Sequence, residues 1–300
     1  MRGRSFWWIV VLIGWAVAGQ PASWAYRGPD RSTKTSVGFR LYSNYLIVVQ
    51  GSVGPLKGLN FLLDTGANTT VLDPRLARKL HLEATPTDVA VLSGSVKGGI
   101  AIAPSLQIGP VRRENVRVLI KDLSFIQDAL PFQIGAIVGL DVLGQSTFLI
   151  DYAAHEIRFG PAPSMPESIP LQMKDGLAFV DAVVNHTTVR LLVDTAAPSM
   201  VIFKQLPNPL SALQGANAQS SPNPSSRLSS KKIGAFDRQR ERQINLTLGE
   251  VEFGHESAFV APNYRDAGHD FDGMISPVAL GIMAVAVNLP EKTLTFAREH

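Results

Sequence analysis

The sequence predicts an all-β protein made of two related halves with only short helices, and three observations predict it. Two Asp-initiated tripeptides each close an apolar run, in Leu62-Leu63-Asp64-Thr65-Gly66-Ala67 and in Leu192-Val193-Asp194-Thr195-Ala196-Ala197. The block Ala136 to Phe159 matches Gly273 to Phe296 without a gap. Between these landmarks lie short apolar runs separated by turn residues, with 25 Gly and 20 Pro in 300 residues. Short strands with frequent turn signals are the pattern of β-rich folds.

The elements follow in order. Strand-like text begins at Tyr45-Leu46-Ile47-Val48-Val49, and a turn follows between Gly51 and Gly58. Asn60-Phe61-Leu62-Leu63 runs into Asp64, and Thr69-Thr70-Val71-Leu72 resumes the strand pattern. Asp73-Pro74 reads as an N-cap with proline at the first helical position, opening a short helix from Pro74 to Leu80. Val89 to Ala103 forms two apolar arms around Ser93-Gly94-Ser95 and Lys97-Gly98-Gly99, which predicts a hairpin. Leu106 to Gly109 and Glu114 to Val118 are further strand candidates. Ala136 to Leu140 leads into a short helix at Asp141 to Leu143, and Phe148 to Asp151 pairs with Glu156 to Phe159.

The second half repeats this order: a strand at Leu177 to Val184, a turn at Asn185-His186, a strand at Val189 to Val193 leading into Asp194, and Met200 to Phe203. The repeat offset is 130 residues between Asp64 and Asp194, and 137 between Gly139 and Ser276. The Pro-, Ser- and Asn-rich segment 207–232 accounts for the excess and reads as a flexible insertion. The domain map is therefore a signal peptide at 1–25, a polar lead-in at 26–40, an N-terminal domain at 41–161, a linker at 162–176 and a C-terminal domain at 177–300. An internal repeat is stronger evidence of architecture than either tripeptide alone.

Arg2 and Arg4, the apolar run Phe6 to Ala18, and small residues at Ser23 and Ala25 make up an export signal cleaved after Ala25. The expected location is periplasmic or secreted. An uncleaved N-terminal membrane anchor is the alternative, against which stands an apolar run shorter than the roughly 20 residues a span requires.

Composition narrows the chemistry. There is no cysteine, which removes thiol nucleophiles, Fe–S clusters and cysteine zinc sites. The 6 histidines are scattered without a His-x-x-x-His pair, so no metal is expected. Asp266, Asp270 and Asp272 do not follow the twelve-residue calcium loop. A net charge of +3, without an Arg/Lys stripe interleaved with aromatics, argues against nucleic acid. Ser199 lacks the Gly-x-Ser-x-Gly setting of a hydrolase nucleophile, and no phosphate-binding glycine loop is present. No cofactor is expected.

Two carboxyl groups brought side by side cannot both ionise cheaply. They share a proton. The ionised member can activate water while the protonated member polarises a peptide carbonyl. That chemistry needs neither metal nor covalent intermediate. If the halves pack about a pseudo-two-fold axis, Asp64 and Asp194 meet there.

The segments Phe61 to Ala67 and Ala136 to Leu143 resemble the retropepsin-like and pepsin-like aspartic peptidases, and Phe148 to Phe159 looks like bacterial members. The resemblance is good over 42–160 and weaker over 177–206 and 244–296. It implies two fused retropepsin-like domains, a monomer with an intramolecular pseudo-dimer, and an extended peptide or protein as substrate. It implies that Asp64 and Asp194 are catalytic. Thr65 and Thr195 would lock the two loops to each other. Gly66 and Ala196 would bring backbone N–H groups to the carboxylates. The hairpin bearing Ser93, Gly94, Ser95, Lys97, Gly98 and Gly99 would be a flap over the substrate.

The second half departs from the pattern at Ala196, at Ser276 in place of glycine, and at Val278 where the first half has Asp141. A peptidase-like module that binds peptide with weak or no turnover is the competing reading, followed by a purely structural use of the two Asp residues.

Overall fold

The computed structural model describes residues 12–13, 35–91, 94–127, 130–206, 241–261 and 270–298. The expected flexible insertion at 207–232 and Ser93 lie outside the described residues, as does the signal segment apart from Leu12 and Ile13.

In chain order the strands are β1 (Leu12–Ile13), β2 (Ser36–Tyr42), β3 (Leu46–Val53), β4 (Leu56–Leu63), β5 (Val71–Leu72), β6 (Thr85–Val91), β7 (Gly94–Ile108), β8 (Val111–Ile120), β9 (Ala136–Val138), β10 (Phe148–Asp151) and β11 (Glu156–Phe159). They continue as β12 (Glu167–Pro170), β13 (Gln172–Lys174), β14 (Leu177–Val184), β15 (Thr187–Val193), β16 (Met200–Ile202), β17 (Glu241–Leu248), β18 (Val251–Val260), β19 (Gly273–Ile275), β20 (Ile282–Asn288) and β21 (Thr293–Arg298). The helices are short: α1 (Pro74–Lys79), α2 (Ser124–Gln127) and α3 (Leu140–Leu143).

The described strands form two sheets. One runs β1-β6-β7-β8-β5-β9-β4-β3-β2-β11-β10-β20-β21-β12, and the other β13-β14-β15-β19-β16-β18-β17. The chain is thus mostly β, with few and short helices, as its sequence predicts. Two short strands, β12 and β13, fall inside the expected linker 162–176, and β2 begins inside the expected lead-in 26–40. Each adds backbone bonds to a neighbouring strand, which composition alone does not reveal.

The pairing around the two Asp loops is the same. Strand β4 pairs in parallel with β9, through Phe61–Ala136, Leu62–Ile137 and Leu63–Val138. Strand β15 pairs in parallel with β19, through Leu191–Gly273, Leu192–Met274 and Val193–Ile275. In both halves a short strand after the Asp loop closes antiparallel on the same partner: β5 on β9, and β16 on β19. The halves are joined where β10 pairs antiparallel with β20, from Phe148–Val287 to Asp151–Ala284.

These strands are buried on both faces, so they read as continuous apolar runs rather than alternating ones. Phe61, Leu62 and Leu63 are all buried, as are Leu191, Leu192 and Val193. Their odd and even positions face different cores. Phe61, Leu63, Leu191 and Val193 join one cluster. Leu62, Leu192 and Val201 join a second. The expected cap is present: Asp73 accepts a hydrogen bond from the Arg75 N–H, with Pro74 opening α1. The Asn185-His186 turn takes φ of 46° and 64°, a left-handed pair that matches the twist of a two-residue hairpin.

Close packing on both faces dictates glycine at the β15–β19 register. A Cβ on Gly273 would sit 2.2 Å from the Val201 carbonyl oxygen, a backbone atom that cannot rotate away. Gly273→Ala is expected to lower stability by about 1–3 kcal/mol. In urea denaturation this appears as a lower midpoint at unchanged slope. An unchanged midpoint would show that the backbone there yields freely.

Candidate active site

Asp64 and Asp194 come together. Each follows a buried strand, and each backbone N–H is tied to the neighbouring parallel strand. Asp64 N donates to the Val138 carbonyl at 3.0 Å, and Asp194 N to the Ile275 carbonyl at 3.0 Å. The strand pair thereby sets where each loop starts.

The two loops are then locked to each other. Thr65 N donates to Thr195 Oγ1 at 3.1 Å, and Thr195 N donates to Thr65 Oγ1 at 3.1 Å. Each hydroxyl donates onward across the junction, Thr65 to the Val193 carbonyl at 2.7 Å and Thr195 to the Leu63 carbonyl at 3.4 Å. Both threonines are buried, and each hydroxyl uses its one donor and an acceptor site across the junction.

The carboxyls are held alike. Gly66 N donates to Asp64 Oδ1 at 2.8 Å, and Ala196 N donates to Asp194 Oδ1 at 2.8 Å. Each remaining oxygen, Oδ2, is buried and receives no donor from elsewhere among the described residues. The two carboxyls are close enough for each to bear on the other's titration. Burial pushes Asp64 well above the ordinary carboxylate range, and the Asp194 charge pushes it further. Asp194 is also raised by burial, against the opposing pull of hydrogen bonds from Ala196, Ala197 and Asp64. Acids coupled in this way lose their protons in two steps that belong to the pair and not to either residue. Such a unit can act on water with its ionised member and on a carbonyl with its protonated one.

Gly66 has a reason to be glycine. A Cβ there would lie 2.8 Å from Asp194 Cγ. The second loop carries its methyl at Ala196 in full burial and keeps the same 2.8 Å hydrogen bond to its own carboxylate. The methyl at Ala196 thus leaves that hydrogen bond as short as its Gly66 counterpart.

Support beneath the loops differs between the halves, and part of this support was missed in the sequence. Thr70 donates from N and Oγ1 to the two oxygens of Asp141, at 2.9 and 2.8 Å. Thr70 Oγ1 in turn accepts from Gly139 N at 3.3 Å, and Leu140 N donates to the Ala67 carbonyl at 2.8 Å. That last bond draws the Ala67 carbonyl to 2.5 Å from where a Cβ of residue 139 would stand, which excludes a side chain there. In the second half Pro277 occupies the place of Leu140 and has no N–H to draw the loop inward. Ser276 can then keep a side chain, buried but with its Oγ unpartnered. Met200 and Val278 replace Thr70 and Asp141 at the repeat offsets, so two apolar side chains stand where the first half has a polar clamp. The signal was present in the sequence as these coordinated replacements, but they gain meaning only with the register known. Tyr45 and Tyr152 were also missed. Both phenols are raised by burial and by the Asp194 charge, which places them near the pair.

The hairpin is present as β6 and β7, paired from Thr85–Ile100 to Val91–Gly94, and is longer than expected. Gly94, Ser95, Lys97, Gly98 and Gly99 all lie on its second arm. Gly98 and Gly99 serve close packing, because a Cβ would meet Leu119 Cδ1 at 2.7 Å and Ala84 Cβ at 2.9 Å respectively. Among the described residues no hydrogen bond joins the hairpin to the Asp loops. The link is apolar, with Val89 buried in the cluster that contains Ala196.

No group of three or more His, Cys, Asp or Glu residues that could hold a metal occurs among the described residues. Asp270 pairs with Lys174, and Asp272 lies 3.7 Å from Lys204 Nζ.

The aspartyl protease family profile matches residues 49–142, a range that contains Asp64, the hairpin and Asp141 but not Asp194. No curated protein matches the sequence significantly. Among solved structures, the crystal structure of Basic 7S globulin from soybean is similar at a TM-score of 0.50 and 13% identity, covering 88% of this chain and 94% of that one. Identity so low speaks for the fold alone. The chain therefore has an aspartic-protease-like fold. The solved relative is a plant protein, so it adds nothing to the likeness to bacterial members.

Two outcomes test the loop supports. Ser276→Ala removes a buried hydroxyl without a partner and is expected to leave stability unchanged or raise it by about 1 kcal/mol, read by denaturant unfolding. Loss of more than that would show the hydroxyl to be bonded. Asp141 is pushed up to about 6 by burial, despite its bonds from Thr70 and Val142. Its native proton is held more tightly than in the unfolded chain, so its contribution is full below pH about 4 and declines as pH rises to about 6. Asp141→Asn should therefore gain stability relative to the parent between those pH values, whatever its offset at low pH. A stability difference that is flat across the window would reject the raised value.

Proposed function

We propose that the chain hydrolyses peptide bonds through a water activated by Asp64 and Asp194, within one pseudo-two-fold pair of fused domains. The single observation that supports this most is the matched holding of the two carboxyls. Each is fixed through Oδ1 by the backbone N–H two residues on, at 2.8 Å, while each Oδ2 is left without a donor from outside the pair. A structural ion pair or cap would satisfy those oxygens. A proton-sharing dyad leaves them for water and substrate. The raised pair suits general acid and base work on an amide without metal. An extended peptide is the substrate shape that a cleft between β-rich halves recognises through backbone bonds and side-chain pockets. We further propose that the protein is exported, and that its fused halves make a second protomer unnecessary.

A second reading is favoured by specific observations: a peptide-binding module with weak or no turnover. Asp64 and Asp194 are both 0% exposed, so substrate reaches them only after a rearrangement. The family profile stops before the second half, and the structural relative is named as a globulin. The polar clamp under the first loop has an apolar replacement under the second.

Cleavage of a diverse peptide library between acidic and neutral pH separates these readings. Asp64→Asn and Asp194→Asn should each reduce turnover by about 10²–10⁴-fold while leaving folded protein. Activity should fall on both sides of an optimum, because the pair works with one proton. Turnover that survives both substitutions rejects the mechanism. A parent protein that binds peptides saturably without cleaving them establishes the second reading.

A further inference from the structure

A groove of about 540 Å³ lies at the opposite end of β4 from Asp64, and its lining includes Arg75, Arg78, Lys79, Asn60, Gln133 and Leu76. None of these belongs to the carboxyl pair or its supports. The groove has three cations and no acidic side chain in its lining. Arg75 gives Nε to Asp73 at 2.6 Å and Nη2 to the Ile134 carbonyl at 3.5 Å, which fixes its guanidinium. Arg78 and Lys79 are exposed and have no ion-pair partner among the described residues.

The polar wall is built in advance. The Asn60 carboxamide oxygen accepts from Arg40 and Gln50, and its nitrogen donates to the Gln133 carbonyl at 3.2 Å. The ordinary explanation for Arg78 and Lys79 is that they stand in the last turn of α1 and complement its carbonyl end. That accounts for their sign, but not for their grouping with Arg75 around a concave surface.

The other half offers a comparison. A second groove, of about 340 Å³, occupies the corresponding place, with Arg190 at the position of Asn60 and Asp270 and Asp272 at those of Gln133 and Gly135. Its cations are matched by acids: Lys204 lies 3.7 Å from Asp272, and Arg190 lies 3.9 Å from Asp181. In the first groove Arg75 is likewise paired, with Asp73 at 2.6 Å, but Arg78 and Lys79 have no acidic partner among the described residues, so two cations of the first half stay uncompensated where the second half has none. The fold does not require the charge.

We propose that the groove lined by Arg75, Arg78 and Lys79 binds a small ligand carrying a phosphate- or sulphate-type oxyanion. Guanidinium groups offer paired donors to such oxygens, and the ammonium adds a mobile point charge. Leu59, Leu76 and Ile134 give the groove apolar surface for an organic substituent. Its volume lies in the range of small-molecule sites.

The test titrates the full chain with inorganic phosphate and with phenyl phosphate by calorimetry, at constant ionic strength, beside the double variant Arg78→Ala/Lys79→Ala. Both side chains are exposed, and an unchanged urea midpoint verifies folding. Saturable binding that weakens at least about tenfold in the variant, or about 1.4 kcal/mol, supports the site. Tighter binding of phenyl phosphate identifies an organic ester as the ligand class, and equal binding of the two identifies the free anion. No saturable binding, or binding that the variant retains, overturns the proposal. Peptide cleavage plays no part in the readout, so the result is independent of the proposed activity.

Discussion

The junction between the two Asp loops depends on a reciprocal exchange between Thr65 and Thr195. Each backbone N–H binds the other's hydroxyl, and each hydroxyl binds a carbonyl of the other's strand. A buried hydroxyl that loses either bond leaves a polar group unpaired away from solvent. The two strands Leu56–Leu63 and Thr187–Val193 are therefore referenced to each other at the atoms that precede their carboxylates. The matched N–H donors on the two carboxyls are built on that reference.

Beneath this junction the halves diverge. The first loop rests on a polar relay from Asp141 through Thr70 to Gly139, the second on Met200, Ser276, Pro277 and Val278. The relay costs a buried carboxylate, whose titration is raised to about 6 even with its partners in place. The apolar version avoids that cost and leaves one buried hydroxyl unpartnered. Charge and polar pairing are thus unequally divided between loops whose carboxyls are held alike. The same inequality recurs along the strands, where one groove keeps Arg78 and Lys79 without acidic partners among the described residues and the other pairs both its cations.

Burial gives the carboxyl pair its chemical character. Two acids in water would both ionise, and their mutual repulsion would be screened. Removed from solvent, both are raised, because separate ionisation would strand two charges in a poorly polarisable site. The same exclusion raises Tyr45 and Tyr152, which sense the Asp194 charge through the protein. A site so enclosed is preorganised electrostatically but needs motion for access, and both functional readings turn on that motion.

Much of the fold was legible in the sequence. Apolar runs ending in Asp64 and Asp194, the Asp73-Pro74 cap and the Asn185-His186 turn are local signals, and each is realised by local physics. The ungapped repeat from Ala136 and from Gly273 foretold identical strand pairing, since equal side-chain patterns bury equally. What sequence order could not show was distance between residues remote along the chain. The Thr70–Asp141 clamp, the packing role of Gly98 and Gly99, the nearness of Tyr45 to Asp194, and the strands hidden in the expected linker all depend on which segments become neighbours. Sequence alone determined which residues could carry the chemistry. Tertiary structure decided which of them meet, because a hydrogen bond or a shared proton acts over about 3 Å and is silent about the number of residues between its partners.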